Sequence, residues 1–154
     1  MYLYPEIIKI FQDHVDPEST YVVIEKQHCM PGEGLTRTFK TGFGFGMYIG
    51  ILEALRLPYS IVGAREWQNK VLLDYPKTMP IKERSIANAK HRFNMEHLYR
   101  TERAYTDHDG KADALNIVLY GKILCQDPLS LSESSHEHKL NKVKVCITCG
   151  EYVV

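Results

Sequence analysis

A mixed α/β domain, in which strands alternate with helices and crossover connections build the sheet, is what this sequence predicts. Three observations carry that prediction. Tyr21-Val22-Val23-Ile24 is a short apolar run closed by Glu25, Tyr59 to Val62 is a second strand-like run opened by Leu57-Pro58, and helical patterns lie before, between and after them.

The elements follow in order. Leu3, Ile7, Ile8, Ile10 and Phe11, with Pro5 in the first turn, describe a short amphipathic helix. It is expected to end near Asp16-Pro17, because proline disfavours helix at the residue before it. Residues 20–25 are the first strand. Pro31, Gly32 and Gly34 predict a mobile loop from His28 to Thr41, and Gly42, Gly44, Gly46 and Gly50 fall on a helix expected from Phe43 to Arg56. Each glycine costs a helix roughly 1 kcal/mol against alanine. Their recurrence therefore predicts close approach of the backbone to a strand or a ligand. Arg65 to Leu72 reads as a short helix holding the only tryptophan, Trp67, and Ile81 to about Met95 as a longer amphipathic helix with Ile86, Ala87, Ala89 and Phe93 toward a core. The last major helix is expected from Gly110 to Leu124.

Composition sets wide limits. A chain of 154 residues, 44% hydrophobic and 25% charged, suits one globular domain with a sizeable core and a small appendage. Nineteen basic residues balance nineteen acidic ones, so any nucleic-acid face must come from local segregation of charge. There is no apolar run near about 18 residues and no signal-peptide pattern, which reads as cytosolic with no membrane partner. Four cysteines then suggest free thiols plus one metal pair rather than a disulfide framework, with Cys29 and Cys125 as inert packing thiols.

The chemistry is concentrated in carboxylates. Glu25 sits at the mouth of a buried strand, and Asp109 and Asp113 lie four apart, hence on one face, of a helix that is otherwise apolar. If that helix packs beside the strand, three carboxylates meet, which is what two divalent cations ~3.5–4 Å apart need for in-line phosphodiester chemistry. Asp107 and His108 precede the helix as candidate supporting or proton-transfer groups. Lys70, Lys77 and Lys82 surround a proline-containing connector and, with Lys26 and Lys111, are the candidate phosphate contacts. Each feature also has a bland reading: acids near a helix start favour the macrodipole, Glu25 could be a solvated strand end, the lysines a solvated face, and Phe43, Phe45 and Tyr48 core.

The order Val22-Val23-Ile24-Glu25-Lys26, Pro31-Gly32 with Gly42-Phe43-Gly44-Phe45-Gly46, Trp67-Gln68, Lys82 and Asp109-Gly110-Lys111-Ala112-Asp113-Ala114-Leu115 resembles the RuvC-like Holliday-junction resolvases, especially their phage-type branch. The resemblance covers roughly residues 3–125. It implies an RNase-H-like core, a homodimer presenting two active sites to a four-way DNA junction, and Mg²⁺ or Mn²⁺ as cofactor, in the cytoplasm of a bacterium or of a phage-infected host. It also implies hydrolysis in which one metal generates the nucleophile and the other stabilises the leaving 3′-oxygen. Glu25 matches the family's second catalytic acid, and Asp113 with Asp109 the acids on its last helix.

The departure is at the amino terminus. The family pattern opens with a three-stranded meander carrying the first catalytic aspartate, whereas this chain starts at the helix that follows. Between Met1 and Glu25 no apolar strand ends in Asp; Asp13 sits at a helix end and Asp16 in a turn. Residues 1–128 are therefore expected to form an N-terminally truncated core with an exposed or partner-covered sheet edge and weak or no cleavage. Three explanations stay open: a fragment of a longer product, a sheet completed by another polypeptide, or a copy that binds as an inactive DNA-binding or assembly subunit.

Residues 129–154 are expected to form a linker and a small C-terminal hairpin. Leu129 to Ser135 reads as the linker, and Cys146-Ile147-Thr148-Cys149-Gly150 is a C-x₂-C turn flanked by alternating Val143, Val145, Ile147, Tyr152 and Val153. Cys146 and Cys149 could chelate one structural Zn²⁺, with His136 and His138 as the remaining ligands. Both histidines can coordinate only if residues 136–138 bend, since an extended segment points them to opposite faces. A protein-interaction module built on this tail is the third functional alternative.

Overall fold

Tyr21-Val22-Val23-Ile24 offers two apolar faces, and a strand with two apolar faces needs a layer on each. The computed structural model describes residues 4–29, 31–99, 101, 103–126, 143–148 and 151–153. In chain order its elements are α1 (Tyr4–His14), β1 (Tyr21–Glu25), α2 (Leu35–Ala54), β2 (Tyr59–Val62), α3 (Ala64–Val71), α4 (Ile81–Phe93), α5 (Asp109–Gln126), β3 (Val143–Thr148) and β4 (Glu151–Val153). The class is mixed α/β, mostly helical around a small sheet whose central pairings are parallel.

β1 is the strand on which the layers are organised. Tyr21 and Val23 point into one core with Val62, Trp67 and the α5 residues Ala114 and Ile117. Val22 and Ile24 point into a second core with Ile7 and Phe11 of α1 and Tyr48 and Leu52 of α2. α3 and α5 thus cover one face of the strand, and α1 and α2 the other. Trp67, Phe11 and Leu52 are among the largest fully buried side chains, each worth roughly 1.5–3 kcal/mol in transfer from water.

β2 pairs parallel with β1, placing Val22 opposite Tyr59 and Glu25 opposite Val62. α2 makes the crossover that a parallel pair requires. On its other side β1 pairs parallel with β3, with a register shift between Tyr21 and Val22, and β3 pairs antiparallel with β4. The strand order is β2-β1-β3-β4. The expected hairpin exists as β3 and β4, but it is hydrogen-bonded into the sheet. The edge of β1 expected to be exposed or partner-covered is filled by the same chain.

α2 differs most from expectation. The helix begins at Leu35, so the stretch read as loop up to Thr41 contributes its first two turns. Extended Gly34 starts it, its carbonyl accepting from the N–H groups of Arg37 and Thr38. Two i,i+4 pairs support these turns: the Glu33–Arg37 ion pair at 3.3 Å and the stacked rings of Phe39 and Phe43, 6.0 Å between centroids. Spacing by glycine and proline alone does not reveal such pairs. The glycine expectation also fails for three of the four. A Cβ placed on Gly42, Gly46 or Gly50 meets nothing within 4 Å, and only Gly44 is buried. Of the aromatics read as core, Tyr48 is buried and Phe45 packs against the α1–α2 core, whereas Phe43 is exposed.

Among the described residues no helix is long and apolar enough to cross a membrane. Cys29 is exposed, so it has no packing role, while Cys125 is half-buried against the α5 side of the sheet.

Because Gly46 faces open space inside a helix, Gly46→Ala should stabilise the protein by about 0.5–1 kcal/mol. The expected readout is a higher urea midpoint at an unchanged m-value. A lower midpoint would mean that something packs against this glycine after all.

Candidate functional site

Glu25 ends β1 at a position whose parity, shared with Tyr21 and Val23, turns it to the α3–α5 side. There the fully buried Trp67 donates its indole Nε1–H to Glu25 Oε1 at 3.0 Å. α3 is itself tethered, because the Glu66 carboxylate accepts from the Gly63 N–H at the helix start and from the Tyr120 hydroxyl of α5 at 2.7 Å. The Lys26 N–H bonds to the Val62 carbonyl at 2.8 Å, which extends the ladder past Glu25 and fixes the strand end.

α5 supplies the other acids, and its start is held by the two residues before it. Asp107 accepts from the Leu98 N–H at 2.6 Å and pairs with Lys90 at 3.0 Å, and those contacts, the backbone one foremost, hold its carboxyl below the usual range. The His108 N–H donates to the Leu98 carbonyl, the His108 carbonyl accepts from the Ala112 N–H, and its Nδ1 accepts from the Lys111 N–H. Both residues therefore anchor the helix start to residues 98–99. Lys111 donates to the Tyr99 carbonyl at 2.6 Å, so its ammonium serves the same anchor.

Asp109 and Asp113 project from consecutive turns of α5 toward α4. Asp109 Oδ2 lies 2.6 Å from Lys82 Nζ, and this hydrogen bond is the main cause holding its carboxyl low. Asp113 Oδ1 accepts from the Ser85 hydroxyl at 2.5 Å. Burial pushes the Asp113 carboxyl up to about 6; the Ser85 hydrogen bond pulls it partly back, and the charges of Glu25 and Asp109 push it up again. Lys82 also acts on Asp113. Glu25, Asp109, Asp113 and Lys82 thus share one electrostatic neighbourhood where β1 ends and α5 begins.

Uncompensated negative charge on hard oxygen donors fits Mg²⁺ or Mn²⁺ in chemistry. Each carboxylate keeps acceptor capacity, since a carboxylate has about four lone-pair sites and these bonds use only some of them. Among the described residues no group of three or more His, Cys, Asp or Glu stands at the spacing of a single ion. The carboxylates would have to draw together to hold one, with Asp109 exchanging Lys82 for the cation.

Of the expected phosphate contacts, Lys26, Lys70, Lys77 and Lys82 are exposed, and Lys82 alone is tied by its contacts to the acids. His136, His138 and Cys149 lie outside the described residues, and Cys146 is described only as a backbone position of β3. Sequence reasoning missed three contributors: Trp67 as a donor to Glu25, Ser85 of α4 as a donor to Asp113, and Asn116 of α5 as a donor to Ser85. A signal for the last two was present, because Ser85 with Asn88 and Asp113 with Asn116 are polar pairs three apart on helix faces that otherwise pack.

No protein-family model matches the chain, and a search of curated proteins returns no match.

The Asp113 shift has a defined sign. Its carboxyl is raised above the ordinary 3.8, so the folded state holds the proton more tightly than the unfolded chain. That contribution to stability is present below about pH 4 and lost as pH rises through about 6. Asp113→Asn, which keeps an acceptor for Ser85, should match the wild type near pH 4 and exceed it at pH 7.5 by on the order of 1 kcal/mol, discounted for partial exposure. Urea denaturation at the two pH values checks this. Equal stability at both would show that Asp113 carries no burial penalty.

Proposed function

We propose that this chain is a metal-dependent endonuclease domain of the Holliday-junction resolvase type, with an RNase-H-like core, acting on branched DNA as a homodimer. What supports it most is that the half-buried Asp113 feels the negative charges of both Glu25 and Asp109, while the exposed Lys82 pairs with Asp109. The parallel β1–β2 pair with its α2 crossover, and an acid-bearing helix on the Glu25 face, support the architecture.

In this function Glu25, Asp113 and Asp109 would hold a Mg²⁺ or Mn²⁺ ion, which would supply the Lewis acidity that phosphodiester hydrolysis needs. Trp67 keeps Glu25 facing α5. Lys82, now paired with Asp109, would be the lysine nearest the acids to meet a DNA phosphate, and Lys26, Lys70 and Lys77 would extend the cationic rim. A second reading, an inactive DNA-binding or assembly subunit, is favoured by one observation: Lys82 already neutralises Asp109, as a site without metal would require.

A labelled four-way junction separates the two. Weak cleavage in Mn²⁺ that disappears in Glu25→Gln, with junction affinity retained, is the expected result. Binding without cleavage in any divalent metal supports the assembly subunit, and neither binding nor cleavage overturns both. Affinity should fall steeply with salt, and Lys82→Ala should weaken binding to all junction sequences alike and reduce the salt slope by about 1.

A further inference from the structure

Two pairs of polar side chains face each other inside the α4–α5 packing. Ser85 and Asn88 lie three apart on α4, and Asp113 and Asn116 three apart on α5, so each pair occupies one helix face. Ser85 is 1% exposed, and Asn88 and Asn116 are 0%. Alanines Ala89 and Ala112 pack beside them and let the helices come close.

The hydrogen bonds run in one direction. Asn88 Nδ2 donates to Asn116 Oδ1 at 2.7 Å, and Asn116 Nδ2 donates to both the carbonyl oxygen and Oγ of Ser85 at 2.9 Å. Ser85 Oγ then donates to Asp113 Oδ1 at 2.5 Å. A serine hydroxyl has one proton, and with Oγ accepting from Asn116 that proton is directed to the carboxylate. Asn116 cannot flip without setting its carbonyl against two oxygens and its amide against another amide. Every donor in the chain points toward Asp113, and the last bond is charge-assisted.

This arrangement is costly as a helix–helix contact. Among the buried atoms, Asn88 Oδ1 has no hydrogen-bond partner, a defect worth about 1–3 kcal/mol. Apolar residues of the same shape would avoid it. What apolar residues could not do is orient a carboxylate, whose terminal torsion has broad, soft wells.

We propose that Ser85, oriented by Asn116 and Asn88, is a positioning residue that fixes the Asp113 carboxylate, one oxygen on Ser85 and the other left for a divalent cation. The proposal rests on the metal-binding reading of this site. Hydrogen-bond partners behind a metal-ligating carboxylate typically change affinity by about 10–100-fold.

The test is Mn²⁺ affinity of the full chain, measured by loss of the free-ion EPR signal, alongside thermal stability without metal. Ser85→Ala is expected to weaken Mn²⁺ binding by about 10–100-fold, and Ser85→Thr, which keeps the hydroxyl, to restore it. Ser85→Cys, nearly isosteric with a weak donor, should fall between and keeps the test available if the alanine variant does not fold. The single tryptophan, bonded to Glu25, provides a second readout: its fluorescence should shift with Mn²⁺ in the wild type and at higher Mn²⁺ in Ser85→Ala. Variants that lose stability yet bind Mn²⁺ as the wild type does would reduce the chain to a helix latch and overturn the proposal. A wild type that binds no Mn²⁺ overturns it together with the metal reading, so the two failures are distinguishable.

Discussion

Helix α5 is buried around most of its circumference, and a polar group carried into such a setting needs a partner there. Its apolar residues satisfy the sheet, with Ala114 and Ile117 meeting Val23 and Trp67. Its acids and amides satisfy α4 instead. The helix is therefore divided by chemistry into a stripe that fixes its place on β1 and a stripe that fixes α4 on it. Asp113 lies where the stripes meet, which is why a carboxylate there is both held and half-buried.

Charge is distributed along the same line. Asp109, at the exposed end, is balanced by Lys82; Asp113, one turn further in, has a neutral hydroxyl and two like charges nearby. Glu25 has an indole N–H rather than a cation. A site built for stability alone would not gather two carboxylates around neutral donors and leave the ammonium on the third, more exposed one. A proton on Asp113 relieves the imbalance, as its raised carboxyl reflects, and in the proposed function a divalent cation would relieve it instead.

The rest of the structure holds that neighbourhood in position. Asp107 and His108 fasten the start of α5 to residues 98–99, Glu66 ties α3 to Tyr120, and the two cores clamp β1 from both faces. α2 packs on the core through its second half, with Tyr48 and Leu52 buried and Phe45 against them. Its first turns project with Leu35 90%, Phe39 71% and Phe43 47% exposed.

Sequence alone determined the elements whose signal is local. The apolar run ending in Glu25, the second strand at residues 59–62 and the spacing of Asp109 and Asp113 on one helix face are consequences of side-chain order and backbone period, and each reappears in the structure. The reach of α2 was not legible, because its first turns depend on the Glu33–Arg37 and Phe39–Phe43 pairs overriding the glycine-rich punctuation of residues 28–42. The sheet position of β3 was not legible either, since pairing between residues 21–24 and 143–147 leaves no local trace in either strand. Nor were the partners of the acids: Trp67 is 42 residues from Glu25 and Ser85 is 28 from Asp113. Composition and period decide which face a residue occupies, but only the packing of α5 between the sheet and α4 decides what each carboxylate finds there.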